Sequence, residues 1–159
     1  MRVEVLTADD WKLLQDLRLS ALDESPAAFL PNADATRAGD EAYWRTRCTE
    51  ESWVVALIDQ QAVGIARSVQ DPAQLPDSKH IESVWVDPAH RRQGVLRTML
   101  HRIMELEPDV QHWYVWVLDG NDLARESYES LGFETAERHA LAGTLSKVRL
   151  KLGPSERWP

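Results

Sequence analysis

The chain switches between two hydrophobic periods, one near two residues and one near 3.6, and the switches delimit its elements. Residues 2–6 alternate polar and apolar, as a half-buried strand does, and Thr7 before Ala8-Asp9-Asp10 has the form of a helix N-cap with an acidic first turn. Leu13, Leu14, Leu17 and Ala21 form one helical stripe, which has to end before Pro26. Residues 23–39 read as a loop. A second short helix over 41–47 carries Tyr43 and Trp44, and two apolar runs, 52–58 and 62–68, flank Asp59-Gln60-Gln61 as the arms of a hairpin.

Residues 71–79 contain Pro72 and Pro76 and read as a surface loop; residues 80–87 then read as a strand stopped by Pro88. Leu96, Met99, Leu100, Ile103 and Met104 make the clearest helical stripe in the chain, with Arg97, His101, Arg102 and Glu105 on the other side. Residues 113–118 are apolar on both parities, which suits a central strand covered on both faces. Asn121 is an N-cap for a helix bearing Ala124, Tyr128 and Leu131, and Gly132 fits the left-handed residue after its end. Strands over 133–141 and 145–152 follow, joined near Gly143. The order β-α-α-β-β-β-α-β-α-β-β gives an α/β fold of about seven strands and about four helices. The expectation is one domain over 1–150 and a tail over 151–159, where Trp158 is available to pin the tail to the body or to a second subunit.

Composition narrows the function classes. The chain has 159 residues, 43% of them apolar, and 18 Lys+Arg against 26 Asp+Glu give a net charge of −8. Such a balance opposes a protein that coats nucleic acid or an anionic membrane, although it allows a local cationic pocket. Cys48 is the sole cysteine, which excludes an internal disulfide and an all-cysteine metal site, and a reducing cytoplasm is expected. The first residues turn acidic at once, and no apolar run of about 18 residues occurs, so neither export nor a membrane helix is expected. The other histidines, 90, 101, 112 and 139, show no ligand spacing, and no metal is expected.

The informative chemistry lies where the strand carrying Val84, Trp85 and Val86 ends at Pro88 and is followed by Arg91-Arg92-Gln93-Gly94-Val95-Leu96-Arg97. A helix beginning there points N–H groups without helical partners outward from the positive end of its dipole, and Gly94 lets a ligand approach the backbone, so a phosphate or pyrophosphate fits. A solvated basic helix start is the plain alternative. The spacing is neither a P-loop nor a dinucleotide fingerprint.

Arg91-Arg92-Gln93-Gly94-Val95-Leu96 resembles the Gln/Arg-x-x-Gly-x-Gly/Ala signature of the GCN5-related N-acetyltransferase (GNAT) family, with Leu96 where the family keeps Gly or Ala. Asn121-x-x-Ala124-x-x-x-Tyr128-x-x-x-Gly132-Phe133 is similar to a second block of that family, in the expected order and separation. The resemblance implies a GNAT fold with a central, mostly antiparallel mixed sheet, splayed at the cofactor site between the strands of Val84 and Val115. It also implies acyl transfer, most often acetyl, from coenzyme A to a primary amine of a small molecule or protein, by direct attack through a tetrahedral intermediate. On this reading acetyl-CoA binds through its pyrophosphate at residues 91–97 and its pantetheine at Val84, Trp85 and Val86, with Asn121 and Tyr128 by the thiol. Monomer or homodimer is expected, with no nucleic acid, membrane or metal partner.

The chemistry needs a base and a thiolate stabiliser. An amine of pKa about 10.4 is some 3.4 units too protonated at pH 7, a deficit of about 4.6 kcal/mol. His80 and Glu82 share a strand face and match positions where the family places a base or holds a water; Glu82 lies nearer the thioester, and His80 has an ordinary pKa of about 6.5. Tyr128 matches the family's general acid. Proton transfer from a phenol of pKa about 10 to a thiolate of about 8.5 is uphill by about 2 kcal/mol, so a hydrogen bond to the thiolate is expected, and acid catalysis only with a lowered phenol pKa. The resemblance implies that Val86 N–H serves the oxyanion, and that Phe29, Tyr43 and Trp44 lie in the segment shaping the acceptor pocket. Cys48 is far from both motifs in sequence, which disfavours transfer through a thiol. The alternative is a non-catalytic acyl-CoA-binding regulatory module.

Overall fold

The computed structural model describes residues 1–26, 33–140 and 146–153. Its strands are β1 (Arg2–Val5), β2 (Ser52–Ile58), β3 (Gln61–Val69), β4 (Ser78–Val86), β5 (His112–Leu118), β6 (Phe133–Ala140) and β7 (Ser146–Leu152). The helices are α1 (Trp11–Glu24), α2 (Ala33–Ala38), α3 (Glu41–Glu50), α4 (Val95–Leu106) and α5 (Asp122–Ser130). The strands form one mixed sheet in the order β1-β2-β3-β4-β5-β7-β6. One expectation is corrected: helix α2 lies within the expected loop over 23–39, because its six residues are too few and too polar to show a helical period. Strand β7 ends at Leu152, as the strand expected over 145–152 does, with Lys151 paired to Tyr114 and Leu152 to Phe133.

Contacts group the chain into two compact units that share β4: residues 1–68 with 83–106, and residues 69–82 with the described residues from Glu107 on. In the first, β1 and β3 flank β2 in antiparallel register. The β2–β3 turn is the residue pair Asp59-Gln60, both with positive φ (48° and 68°), as the right-handed twist of a two-residue hairpin demands. Thr7 N and Oγ1 both bond the Asp10 carboxylate, a cap that starts a short 3-10 turn running into α1. Leu14, Leu17 and Ala21 of α1 and Trp44 and Cys48 of α3 pack on Trp53, Val55, Ile65 and Trp85. Each such aliphatic side chain contributes about 1.5–3 kcal/mol by burial. A Cβ at Gly64 would lie 3.1 Å from Val95 Cγ1 and 3.2 Å from Met99 Cε, so the missing side chain is what lets α4 seat on β3.

In the second unit, β4 runs parallel to β5 from Ser78↔His112 to Ile81↔Val115, and β5 continues against β7 as far as Leu118↔Lys147. The two faces differ in chemistry. Val115, Val117, Val148, Leu150 and Phe133 are buried on the face where Phe133 meets Tyr128 of α5 edge to face, 5.6 Å between ring centroids. The opposite face carries Tyr114 and Trp116 beneath the cations of β7: Lys147 Nζ is 3.9 Å from the Trp116 centroid, and the Arg149 guanidinium is 4.3 Å from that of Tyr114.

Candidate functional site

The strand-to-helix junction of the first unit is built from local backbone constraints. Asp87 Oδ1 accepts from Ala89 N at 2.8 Å and starts a 3-10 turn over Pro88–His90. Arg91 is then extended, while Arg92 and Gly94 take positive φ, 60° and 80°. The first helical bond of α4 is Thr98 N to Gly94 O, 3.0 Å, backed by Thr98 Oγ1 at 2.9 Å. The N–H groups ahead of it have no acceptor in the helix. A Cβ at Gly94 would meet nothing within 4 Å, so the space beside Gly94 is open. That space and the positive end of a twelve-residue helix together fit an anion.

The side chains divide unequally. Arg92, Gln93 and Arg97 are exposed, Leu96 is half-buried and Val95 is buried. The Arg91 guanidinium is already engaged: Nε donates to Val86 O at 3.0 Å and Nη2 to Glu24 Oε2 at 2.8 Å. The same Glu24 oxygen accepts from Trp85 Nε1 at 3.0 Å and Ser25 Oγ at 2.5 Å. Burial pushes the Glu24 carboxyl up, but the donors Ser25, Trp85 and Arg91 outweigh it and hold the group below the usual carboxylate range. The Arg91 guanidinium therefore ties the loop to the end of α1.

Strand β4 contains a feature the alternation hides. Ser83 sits between Glu82 and Val84 with φ 54°, a left-handed residue inside a strand, which interrupts the parity on which side chains share a face. Val84 and Val86 are half-buried beyond it, and Trp85 is buried, with its ring in the core cluster.

In the second unit, Asn121 Oδ1 accepts from Ala124 N at 3.3 Å and caps α5, and Gly132 adopts φ 96° after its end. Tyr128 is buried, and burial pushes its phenol pKa up. The condition set for full acid catalysis, a lowered phenol pKa, is therefore not met. His80 is 2% exposed and stacks on Tyr114 and Trp116 at 5.4 Å and 6.0 Å between centroids. Its Nε2 has no hydrogen-bond partner among the described residues. Burial first, then the charge of Arg149, pushes its pKa below 6.5, so the ordinary value read from the sequence does not apply. Glu82 is half-buried.

Of the three expected acceptor-pocket aromatics, Phe29 lies outside the described residues. Trp44 has no exposed surface and donates Nε1 to Gly39 O at 3.2 Å, so its side chain is part of the core. Tyr43 stays half-buried, edge-on to Trp44. Cys48 is buried in α3, and burial pushes its thiol pKa up, the wrong direction for a nucleophile. No helix among the described residues is long and apolar enough to cross a membrane. The sequence reading missed Ser83 and Glu24; it also missed Arg18, whose signal was a charged residue lying within the apolar stripe of α1.

Over 99 residues the chain is 24% identical to the uncharacterized N-acetyltransferase YafP of Escherichia coli (strain K12), covering 62% of this chain and 57% of that one. The ribosomal-protein-alanine N-acetyltransferase of Brucella melitensis superposes with a TM-score of 0.67 at 21% identity, over 95% of this chain and 98% of that one. The yncA protein of Salmonella typhimurium, a putative acetyltransferase solved with its cofactor acetyl-CoA, gives a TM-score of 0.72 at 18% identity, over 99% and 96%. The model of the Acetyltransferase (GNAT) family matches residues 15–133, most of the sheet and both motifs, and the chain belongs to that family.

Proposed function

We propose that the protein is an acetyl-CoA-dependent N-acetyltransferase that transfers the acetyl group directly to a primary amine. The observation that carries the reading is the junction at Gly94, where open space meets helix amides in a member of an acetyltransferase family. On this reading the amides at the start of α4 hold the pyrophosphate, with Arg92 and Arg97 adding positive charge at its rim. The backbone of Val84, Trp85 and Val86, set by the left-handed Ser83, pairs with the pantetheine amides, and Val86 N–H serves the oxyanion.

Tyr128 keeps its proton and stabilises the departing thiolate by a hydrogen bond, in line with its raised pKa. Either His80, neutral at pH 7 because its pKa is lowered, or Glu82 takes the amine's proton, directly or through a water. Asn121, the cap of α5, borders the thiol end.

The test is thermal unfolding and thiol release on the whole protein. Acetyl-CoA at about 100 times its Kd adds about 2.7 kcal/mol, read as a rise in Tm. Gly94→Trp fills the open space and removes that rise. Thiol release in a panel of primary amines then establishes turnover, whereas stabilisation without release from any amine supports the regulatory module, and absence of stabilisation refutes the cofactor reading.

A further inference from the structure

One face of the second unit carries a ladder of side chains that crosses four strands. His80 of β4 is in register with Tyr114 of β5, Trp116 of β5 with Arg149 of β7, and Arg149 with Glu137 of β6. The His80 ring stacks on Tyr114 and lies within 4° of parallel to Trp116, 6.0 Å between centroids. The Arg149 guanidinium carbon is 4.3 Å from the Tyr114 centroid and 5.9 Å from that of Trp116, so the two rings that hold His80 also carry the arginine.

Arg149 is held from the side of β6 as well. Glu137 Oε1 lies 2.9 Å from Arg149 Nε, an ion-pair contact in which the buried Nε–H is not aligned for a hydrogen bond, and the same oxygen lies 3.2 Å from His139 Nε2. The His139 ring meets Trp116 edge-on at 5.0 Å, which closes the ladder into a ring of contacts. Only 13% of the Arg149 side chain is exposed. A planar guanidinium set between a carboxylate and two aromatic faces keeps its charge at a fixed distance from its neighbours, as a flexible surface cation does not.

His80 stands at the other end. It is 2% exposed, its Nε2 has no hydrogen-bond partner among the described residues, and the register of β4 with β5 ends one residue later, at Ile81↔Val115. A buried nitrogen without a partner calls for an explanation. With the proton on Nδ1, the Nε2 lone pair is open to accept another. An imidazolium here would be one more cation on rings that already face Arg149 and, at Trp116, Lys147 Nζ at 3.9 Å. The charged groups acting on His80 are Arg149 and Lys147 from β7, Glu82 on its own strand and Asp71 in the segment before it. Burial, then Arg149, push its pKa below the ordinary value against the opposing influence of Glu82 and Asp71.

We propose that Arg149, held by Glu137 and carried on Tyr114 and Trp116, is a positioning residue of the transfer reaction: it keeps His80 a neutral imidazole whose Nε2 takes the proton of the acceptor amine. This inference rests on the acetyl-transfer reading and selects His80 over Glu82 as its base. The ammonium gives one proton to Nε2, and the freed lone pair attacks the thioester carbonyl. The C–S bond then breaks with its electron pair on sulfur, the surplus proton of the new amide nitrogen goes to that thiolate, and His80 returns its own proton to water. Arg149 touches none of the reacting atoms.

The experiment uses the full chain, isotopically labelled at histidine. NMR reads the titration of the His80 ring from pH 8 to pH 5, with His80→Gln identifying its signal among the five histidines. Thiol release from acetyl-CoA with one amine reads kcat/KM at pH 8 and pH 5.5; the titration of the amine itself is common to all variants and cancels between them. Arg149→Met, which covers Tyr114 without a charge, is expected to move the His80 titration to higher pH and to raise the ratio of kcat/KM at pH 8 to that at pH 5.5 by about twofold or more. Arg149→Lys, which restores the charge, returns both toward the parent. Lys147→Gln, at the edge of the ladder, moves both in the same direction as Arg149→Met by a smaller amount, and carries the test if Arg149→Met does not fold. The proposal is overturned if His80 titrates alike in the parent, Arg149→Met and Lys147→Gln, or if its titration moves while the kcat/KM ratio does not; in both cases the transfer reading stands. If the parent releases no thiol with any amine, the transfer reading is refuted and the positioning role with it, and an Arg149-dependent titration then describes the ladder alone.

Discussion

Glu24 offers the sharpest test of how the fold holds the loop before α4. One oxygen of this side chain accepts from Trp85 Nε1, Arg91 Nη2 and Ser25 Oγ, and so joins the end of α1 to β4 and to the first residue of the arginine loop. Glu24→Ala leaves the indole N–H of a residue only 7% exposed without its acceptor, at a cost of about 1–3 kcal/mol. The Arg91 pair is about one-third exposed on both sides, and its loss adds only about 0.2–1 kcal/mol. Ser25 remains close to solvent and adds little. The sum is about 1–4 kcal/mol, or roughly 2–16 °C in Tm for a chain of this size. Glu24→Gln retains a carbonyl for Trp85 and is expected to lose less than half as much. Because the Glu24 carboxyl is held below its ordinary value, its contribution is complete above pH about 4.5 and is lost as pH falls through the folded-state pKa. Urea unfolding of both variants, alone and in a Trp85→Phe background, measures these quantities. The reasoning is refuted if Glu24→Ala costs less than about 0.5 kcal/mol, or if its cost is the same in the Trp85→Phe background, since the two side chains should then be coupled.

Three further outcomes are expected. His80 has a folded pKa below its unfolded value of about 6.5, so the unfolded chain binds the extra proton first, and stability should fall as pH drops from about 6.5 toward the folded pKa. His80→Gln should flatten that slope in urea unfolding between pH 7 and 5, and an unchanged slope would place the titration elsewhere. Gly94→Ala should cost about 1–2 kcal/mol in unfolding free energy, since φ 80° is a left-handed conformation that strains any residue with a Cβ; a neutral effect would mean the loop relaxes freely. Tyr128→Phe should slow thiol release by about tenfold to a hundredfold with acetyl-CoA affinity held within about twofold, and an unaltered rate would remove Tyr128 from the reaction.

Periodicity made most of the fold legible because each element buries one regular face. The stripe of α4, the double-parity apolar run of β5 and the Asn121 to Gly132 frame of α5 all reappear at the expected positions. The loop before α4 was legible for a related reason: a strand, a proline, a glycine and an amphipathic helix set its geometry locally. Where position depends on partners far away in sequence, the pattern was silent. Trp44 reads as an available aromatic until α1 and β2 close over it. The Arg91 guanidinium is held by Glu24, 67 residues earlier, a contact that no local pattern announces.

The sequence by itself determined the order of the strands and of every helix but α2, and the family, since these rest on local period, capping and two motifs of fixed spacing. Tertiary structure decided the state of each side chain: the lowered pKa of His80, the raised pKa of Tyr128, the tether at Glu24 and the gathering of Arg18, Arg47 and Arg67 around Trp53. The reason is that burial and charge–charge interaction act through space. They depend on which surfaces meet after the chain has folded, and residue order along the chain does not record that distance.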